Sequence, residues 1–185
     1  KEAVFAGGCF WCMEAPFVLT PGVLKVKSGY TGGDKKFPTY EEVCTGSTGH
    51  YEAVKIWYDE TEVSYKNLLG VFIQSMNPTD PYGQFADRGS QYLGAIFYAN
   101  DEEKQLANKL LSELDKSNIF ESQVAIKLLP QADFYEAEEY HQEYYKKNKL
   151  HYKAYRRGSG RAPFLEKIWT QDNINKLNEI LSKLQ

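Results

Sequence analysis

The 185-residue sequence predicts a single α+β domain, in which a mixed sheet carries helices mainly on one face and long irregular loops join the elements. Segments of period-2 hydrophobicity and segments of helical periodicity follow one another along the chain. Several of the period-2 segments alternate apolar and polar residues, which is typical of a sheet with one solvated face. A doubly wound parallel sheet would show continuous apolar strands instead, so we favour a sandwich of one sheet and its helices.

The first predicted strand ends at a cysteine. The apolar run Ala3–Ala6 is typical of a buried strand, and Gly7 and Gly8 stop it abruptly. A helix is predicted from Phe10 onward, and Pro16 limits or kinks it. Cys9 then lies at the strand-to-helix turn, where the helix N-terminus favours thiolate over thiol. The two aromatic residues that follow it predict a pocket for a small apolar group.

Two more strands and a short helix follow. Residues 22–31 alternate, with Leu24 and Val26 expected on one face of a half-buried strand. A short helix is predicted over residues 39–43, because Thr39 and a glutamate three residues later form a capping-box pattern. Residues 51–58 alternate again and predict another strand.

The middle of the chain alternates between helices and strands. An amphipathic helix is predicted between Leu68 and Met76, followed by a long loop over residues 77–89 that is typical of functional loops. Residues 92–98 and 124–129 predict strands, and Asn100 is the expected N-cap of the helix between them.

The last third of the chain has weaker patterns. Residues 134–145 predict a helix, and residues 148–165 look irregular, with a break at 158–160. An apolar stripe after residue 170 predicts a terminal helix that packs on the domain or serves as a linker. We therefore expect a catalytic or binding domain over residues 1–170 and a C-terminal helix or linker over 171–185.

Composition restricts the partners and the compartment. The net charge is −3, and the densest basic run, residues 146–157, is diluted by tyrosines, so we interpret it as a solvated surface and expect no nucleic-acid partner. No stretch approaches the length of a membrane span. Three cysteines, an odd number, argue against a disulfide-stapled secreted scaffold and favour the cytoplasm. The chain begins with Lys1, so an envelope or secreted form stays open, and we expect a monomer.

The residues around Cys9 and Cys12 admit several functions. A lone cysteine is commonly a small buried hydrophobe, and a Cys-x-x-Cys pair occurs both in zinc sites and in dithiol oxidoreductases. A metal module built from three cysteines and three histidines and an aromatic-rich peptide-binding domain are further alternatives. Only Cys9 and Cys12 have a tight spacing, so we expect no metal site.

Five motifs together carry a family resemblance that covers nearly the whole chain, from Ala3 to Trp169. They are Gly8-Cys9-Phe10-Trp11 with Glu14, Ser28-Gly29-Tyr30-Thr31-Gly32-Gly33, Gly49-His50-Tyr51-Glu52-Ala53-Val54, Asp87-Arg88-Gly89-Ser90-Gln91-Tyr92 and Glu138-Glu139-Tyr140-His141-Gln142. In this order they resemble the A-type peptide methionine sulfoxide reductases. The resemblance implies a ferredoxin-like two-layer α+β core with long irregular loops.

The resemblance also implies a mechanism. The Cys9 thiolate would attack the electrophilic sulfur of methionine-S-sulfoxide in an oxidised protein, while Glu52 donates a proton to the oxygen. Glu52 would need a raised pKa, which burial among aromatic residues can supply. Tyr30 and Tyr92 resemble the hydroxyl donors to the sulfoxide oxygen. Methionine would leave, and Cys9 would remain as a sulfenic acid.

The same resemblance assigns the binding residues. Phe10 and Trp11 would hold the S-methyl group, and Asp87 would bind a water molecule or the backbone N–H of the substrate. His50 and His141 are expected to be structural, with His141 ordering the tail near the site.

The cysteine set departs from the family. Many members have glycine at the position of Cys12 and carry resolving cysteines in a C-terminal tail, whereas no cysteine follows Cys44 here. Either Cys12 resolves the sulfenic acid, or Cys44 does, or no cysteine does. We expect Cys12, because residues i and i+3 on a helix lie about 5–6 Å apart, within disulfide range. Cys44 is then expected to be a buried thiol. Thioredoxin or a similar dithiol would reset the disulfide, with no bound cofactor. Some relatives are fused to a B-type reductase, so it stays open whether this domain was cut from such a fusion, with the segment after Thr170 as the linker.

Overall fold

The computed structural model describes all 185 residues, Lys1–Gln185, as a mixed sheet with helices packed on it. In chain order the elements are β1 (Glu2–Gly7), α1 (Phe10–Val18), β2 (Val23–Thr31), α2 (Tyr40–Cys44), β3 (Tyr51–Tyr58), α3 (Tyr65–Ser75), β4 (Gly83–Gln84), β5 (Asp87–Arg88), β6 (Gly94–Tyr98), α4 (Asp101–Lys116), β7 (Lys127–Pro130), β8 (Phe134–Glu136), α5 (Tyr144–Lys147), α6 (Lys149–Gly158), α7 (Arg161–Ile168) and α8 (Gln171–Ser182). Short 3₁₀ turns lie at Ser90–Tyr92 and Glu139–His141.

Six strands form the main sheet in the order β7-β6-β1-β3-β2-β8. Every neighbouring pair is antiparallel except β6 and β7, which are parallel, so the predicted α+β class with a mixed sheet is confirmed. The finer expectation of a ferredoxin-like two-layer sandwich is not confirmed. Strands β7 and β8 extend the sheet at both edges, and the sheet curls as a half-barrel rather than remaining a flat layer.

The main core lies between the sheet and the helices α1, α3, α4 and α8. It is one cluster of 28 buried residues, and the ring of Phe5 on the central strand β1 stacks on Phe17 and on Phe72 at centroid distances of 5.6 and 5.1 Å. A smaller cluster of six buried residues, including Val4 and Ala6, covers the other face of the sheet. Because both faces of β1 are buried, the strand that leads to Cys9 is held firmly in place.

Several sequence predictions are confirmed at the level of single elements. The apolar run Ala3–Ala6 lies in β1, and α1 contains Pro16 within its span. Both hydrogen bonds of the predicted capping box at Thr39 and Glu42 are present at the start of α2. The side chain of Asn100 caps α4 as predicted.

Two strand predictions need correction. Leu24 is 72% exposed rather than buried beside Val26, because the pairing of β2 with β3 shifts register between Val23 and Lys25. Such a bulge turns the next side chain to the opposite face. The strand predicted over residues 124–129 lies at Lys127–Pro130, where it pairs in parallel with β6.

The predictions for the last third of the chain are largely wrong. Residues 134–145 do not form one helix, because β8 pairs with β2 and only the four residues of α5 are helical. Residues 148–165 are not irregular but form α6 and most of α7, separated at Gly160, where φ is +95°. No residue of α6 is buried, so its packing leaves little hydrophobic pattern in the sequence.

The C-terminal residues form α8, which packs against α3 and α4. Leu177 and Leu181 are buried there, and an added Cβ at Gly70 of α3 would lie 2.7 Å from Leu181. The division of the chain at residue 170 stays a prediction. None of the helices combines the length and the apolar character that crossing a membrane requires.

The packing of α8 predicts a large stability effect from one leucine. Leu177→Ala removes a fully buried side chain, and we expect it to lower the free energy of unfolding by about 2–5 kcal/mol. Leu150→Ala is the matched control, because Leu150 is 85% exposed, and it should change stability by less than about 0.5 kcal/mol. Urea denaturation measures both. Equal, small effects would mean that α8 does not belong to the core.

Candidate active site

The site begins at the tight turn between β1 and α1. Gly8 has φ +85°, and an added Cβ there would lie 2.5 Å from Cβ of Gln84, so only glycine fits. Cys9 is the N-cap of α1, as predicted, and its side chain makes no capping hydrogen bond. The turn thus places the Cys9 thiol, which is buried, at the carboxyl end of the central strand β1.

Glu52 lies against the start of α1. It stands on β3 with only 2% of its surface exposed, and its Oε2 accepts a hydrogen bond from the backbone N–H of Phe10 at 3.1 Å. Burial is the main cause that raises the pKa of the carboxyl to about 8; the hydrogen bond from Phe10 opposes the shift, and the negative charges of Asp87 and Cys12 contribute to it. Glu52 therefore keeps its proton at neutral pH.

A cavity of about 140 Å³ joins these two groups. Its lining residues are Cys9, Phe10, Trp11, Tyr40, Glu52, Asp87, Tyr92 and Tyr155. At roughly 30 Å³ per water-sized group, it holds about four such groups, which is the size of a methylsulfinyl group with one adjoining carbon. Six of the eight residues are among those predicted from the sequence, and Tyr40 and Tyr155 are not.

Tyr30 does not line this cavity. Its hydroxyl donates to Oε1 of Glu138 at 2.9 Å, and its ring lies 5.8 Å from that of Phe10. The other carboxylate oxygen of Glu138 accepts from the backbone N–H of Tyr40 at 3.0 Å. Glu138 therefore anchors the start of α2, and the tyrosine beside the thiol is Tyr40 instead of Tyr30. The capping box immediately before Tyr40 is the only sequence signal near it, and it indicates a helix start rather than a site.

Asp87 and Tyr92 reach the cavity from the long loop. A two-stranded hairpin of β4 and β5 carries Asp87, and the 3₁₀ turn after it carries Tyr92. The hydroxyl of Tyr155, on α6, donates to Oδ2 of Asp87. Burial raises the pKa of Asp87, while this hydrogen bond and the charge of Arg161 oppose the shift. The sequence pattern does not indicate Tyr155 as a site residue, because it predicts an irregular segment over residues 148–165 where the structure has α6.

Trp11 forms one wall of the cavity. Its indole N–H donates to Nδ1 of His141 at 3.0 Å, and Tyr144 stacks on it at 3.8 Å between ring centroids. Because Nδ1 accepts, the neutral imidazole carries its proton on Nε2, which is buried without a partner. His50 lies elsewhere, where Nδ1 accepts from the backbone N–H of Gly33.

The pKa values of the Cys9 and Cys12 thiols are shifted in opposite directions, which the sequence does not predict. The backbone N–H of Cys12 donates to the carbonyl oxygen of Cys9 at 3.0 Å, which places the two thiols one turn apart. Burial raises the pKa of Cys9, and the interaction with Cys12 and the nearby carboxyls add to this effect. The interaction with Cys9 lowers the pKa of Cys12 to about 7 against the raising effect of burial, and the charges of Arg161 and Arg156 assist.

The expectation that the helix N-terminus favours the Cys9 thiolate is therefore wrong for the resting site. The first N–H of α1, on Phe10, is occupied by Glu52 and does not serve the sulfur. Burial thus favours the neutral form of Cys9, and the two thiols ionise as one coupled pair rather than singly. Cys9 becomes the nucleophile when its proton passes to the neighbouring Cys12.

Cys44 differs from its expected environment. It is exposed rather than buried, because it ends α2 at the surface, and its thiol contacts the hydroxyl of Tyr40. No group of three or more His, Cys, Asp or Glu side chains is placed to hold a metal ion.

Comparisons with known proteins agree with this geometry. The family model for peptide methionine sulfoxide reductase matches residues 1–173. The peptide methionine sulfoxide reductase MsrA of Bacillus pumilus is 52% identical over 168 residues, which cover 91% of this chain and 94% of the relative. The solved methionine sulfoxide reductase A of Corynebacterium diphtheriae is similar with a TM-score of 0.72 and 32% identity, covering 81% of this chain and 76% of that one. The reduced form of Mxr1 from Saccharomyces cerevisiae is similar with a TM-score of 0.75 and 30% identity, covering 80% and 86%. This chain therefore belongs to the A-type peptide methionine sulfoxide reductases, thiol-dependent oxidoreductases that reduce methionine sulfoxide.

Proposed function

We propose that this chain reduces the S epimer of methionine sulfoxide to methionine, in oxidised proteins and as the free amino acid, and so repairs oxidative damage. One observation supports this most. The carboxyl of Glu52, with a pKa raised to about 8, keeps its proton at neutral pH and lines the same small cavity as the Cys9 thiol. A sulfoxide needs both groups, because its sulfur accepts a nucleophile and its oxygen must be protonated to leave.

The first step transfers oxygen from the substrate to Cys9. The Cys9 proton passes to Cys12, and the Cys9 thiolate attacks the sulfoxide sulfur while Glu52 gives its proton to the oxygen. The sulfur–oxygen bond of the substrate breaks, methionine leaves, and Cys9 carries the oxygen as a sulfenic acid. The substrate gains two electrons, and the Cys9 sulfur loses two.

The cavity walls orient the sulfoxide for this attack. The hydroxyls of Tyr40 and Tyr92 are the proposed donors to the sulfoxide oxygen, and Tyr40 takes the role that the sequence assigned to Tyr30. The rings of Phe10 and Trp11 are proposed to hold the S-methyl group. Asp87, positioned by Tyr155, is proposed to bind the substrate backbone N–H or a water molecule.

The second step forms a disulfide. We propose that the Cys12 thiol attacks the Cys9 sulfenic acid, so that a sulfur–sulfur bond forms and water leaves. Their positions one turn apart at the start of α1 support this pairing. Cys44, which contacts Tyr40 in the cavity wall, is the alternative resolving thiol, and a site without any resolving cysteine is the third possibility.

An external dithiol is proposed to reset the enzyme, with no prosthetic group. Thioredoxin fits this role, because it exchanges its dithiol for a disulfide. Mxr1 of Saccharomyces cerevisiae has been solved in complex with Trx2. That structure is 20% identical to this chain and shares its fold.

The reset requires a reducing compartment, so we propose that the protein acts in the cytoplasm, as a monomer. We further propose residues 1–170 as the catalytic domain and 171–185 as its terminal helix, and the packing of α8 on the core supports the latter.

Glu52→Gln tests the proton donor. The amide cannot supply the proton, so kcat/KM for methionine-S-sulfoxide should fall about 100- to 10,000-fold. Cys9 should remain alkylatable by iodoacetamide. Glu14→Gln is the matched control, because Glu14 is also buried with a pKa raised to about 7, mainly by burial, yet its carboxylate accepts from Glu143 outside the cavity. It should leave kcat/KM unchanged. A general dithiol oxidoreductase would instead reduce insulin and tolerate Glu52→Gln.

Peptide mapping after one turnover identifies the resolving cysteine. The reduced enzyme is mixed with one equivalent of sulfoxide without reductant, blocked with an alkylating agent and digested. We expect a Cys9–Cys12 disulfide and an alkylated Cys44. In Cys12→Ser, mass spectrometry with dimedone should find the sulfenic acid on Cys9. A Cys9–Cys44 bridge, or an unresolved sulfenic acid in the wild type, would contradict the assignment.

A further inference from the structure

One cluster of positively charged side chains has no role in the proposed chemistry. Residues 146–157 contain six Lys or Arg and no Asp or Glu, although the whole chain has a net charge of −3. In the structure this segment ends α5 and forms most of α6. The helix α6 also carries Tyr155, which lines the cavity. The positive charge therefore lies beside the site and not on a remote surface.

A groove of about 540 Å³ runs between α1 and this segment. We call it the basic groove. Pro16 on α1 and Leu19 at its C-cap form one wall, and Lys149, Tyr152, Lys153 and Arg156 on α6 form the other. Arg157 and Glu166 also line the groove. Leu19 is 77% exposed, so the groove offers an apolar edge together with cations.

Three cations of the basic groove have no partner. Arg157 pairs with Glu166 at 3.1 Å, and Lys146 and Lys147 also pair with glutamates. Lys149, Lys153 and Arg156 form no ion pair and no side-chain hydrogen bond in the structure. Unpaired cations next to an exposed leucine are a surface on which an acidic and apolar partner can gain both charge pairing and burial.

The basic groove adjoins the thiol pair. Cys12 and Pro16 are spaced i, i+4 on α1 and so lie on one face of that helix, and Leu19 is the C-cap at its end. On the facing helix α6, Tyr152 and Arg156 line the groove and Tyr155 lines the substrate cavity, so the groove and the cavity share this helix. The substrate cavity lies on the Cys9 side, and Cys12 is not among the residues that line it.

We infer that the basic groove docks the dithiol protein that resets the enzyme, through an acidic and apolar surface next to that protein's dithiol. The inference rests on the proposed recycling step. Oxidised proteins differ in the charges around their methionines, so a fixed cationic groove would restrict repair. A reductant is one protein with a constant surface, and it must bind beside two buried sulfurs to reach them.

The exchange that follows docking balances without further reagents. A thiolate of the partner attacks one sulfur of the Cys9–Cys12 disulfide, a mixed disulfide forms, and the other cysteine leaves as a thiolate. The second partner thiol then attacks the first partner sulfur, so that a disulfide forms within the partner and the cysteine of this chain leaves as a thiolate. Two electrons and two protons pass to this chain, and the partner leaves as a disulfide.

Charge reversal in the basic groove tests the inference. Lys149→Glu with Lys153→Glu changes two exposed, unpaired cations and touches no cavity residue. The matched control is Lys104→Glu with Lys127→Glu, the same charge change at exposed residues on α4 and β7 that form no ion pair. Turnover is measured with thioredoxin, thioredoxin reductase and NADPH, and separately with dithiothreitol, which is small and uncharged.

At low salt we expect the groove variant to raise the KM for thioredoxin about tenfold, with the difference shrinking as salt is added. Turnover with dithiothreitol and the KM for methionine sulfoxide should match the wild type. The neutral variant, Lys149→Gln with Lys153→Gln, should give an intermediate KM.

Two outcomes would contradict the docking inference but leave the proposed recycling step intact. One is a groove variant with the thioredoxin kinetics of the control. The other is a raised KM for an oxidised protein substrate in the presence of dithiothreitol, which would make the groove a substrate surface. A wild type that turns over with dithiothreitol but not with thioredoxin would refute the proposed recycling step, and the docking surface with it.

Discussion

The hydrogen bond from the Phe10 N–H to Glu52 is the contact on which the site depends. It joins β3 to the first turn of α1 and holds a carboxyl beside the sulfur of the preceding residue. A helix N-terminus ordinarily stabilises a neighbouring thiolate, but here its first donor serves the acid. Burial outweighs that hydrogen bond and raises the pKa of Glu52 to about 8, so the acid form persists.

The same arrangement explains why two cysteines are paired at this turn. Cys9 alone would be a buried thiol with a raised pKa, unable to ionise near neutral pH. Cys12, with a pKa of about 7, ionises more easily and can take the proton of Cys9. The pKa of Glu52 is raised far above that of an ordinary carboxyl, so the acid keeps its proton at the neutral pH at which the thiol pair begins to ionise.

Arg161 ties the C-terminal part of the chain to this turn. Its guanidinium is fully buried, and it donates to the carbonyl oxygens of Gly7 at 3.0 Å and of Ser75 at 2.8 Å. No carboxylate pairs with it, and a buried cation without a counter-charge is costly. The negative charge on Cys12, whose pKa it lowers, offsets part of that cost. The helix α7, which the sequence pattern did not show, thus contributes to the electrostatics of the thiols.

The sequence predicted those cavity residues that a short stretch of chain identifies. The glycine-bounded turn indicated Cys9, and short motifs that resemble the family assigned Glu52, Asp87 and Tyr92; all four line the cavity. Tyr40 and Tyr155 could not be found this way, because the contacts that place them, with Glu138 and Asp87, cross about 100 and 70 residues of chain. The bulge that exposes Leu24 is likewise a property of strand pairing.

The titration of the Glu52 carboxyl tests the central claim most directly. Infrared difference spectra of the reduced enzyme against pH report the carbonyl band of a protonated carboxyl, and Glu52→Gln identifies which band belongs to Glu52. The account predicts that this band persists through neutral pH and disappears with a pKa of about 8. Loss of the band near pH 4–5, the ordinary range of a glutamate, would contradict it.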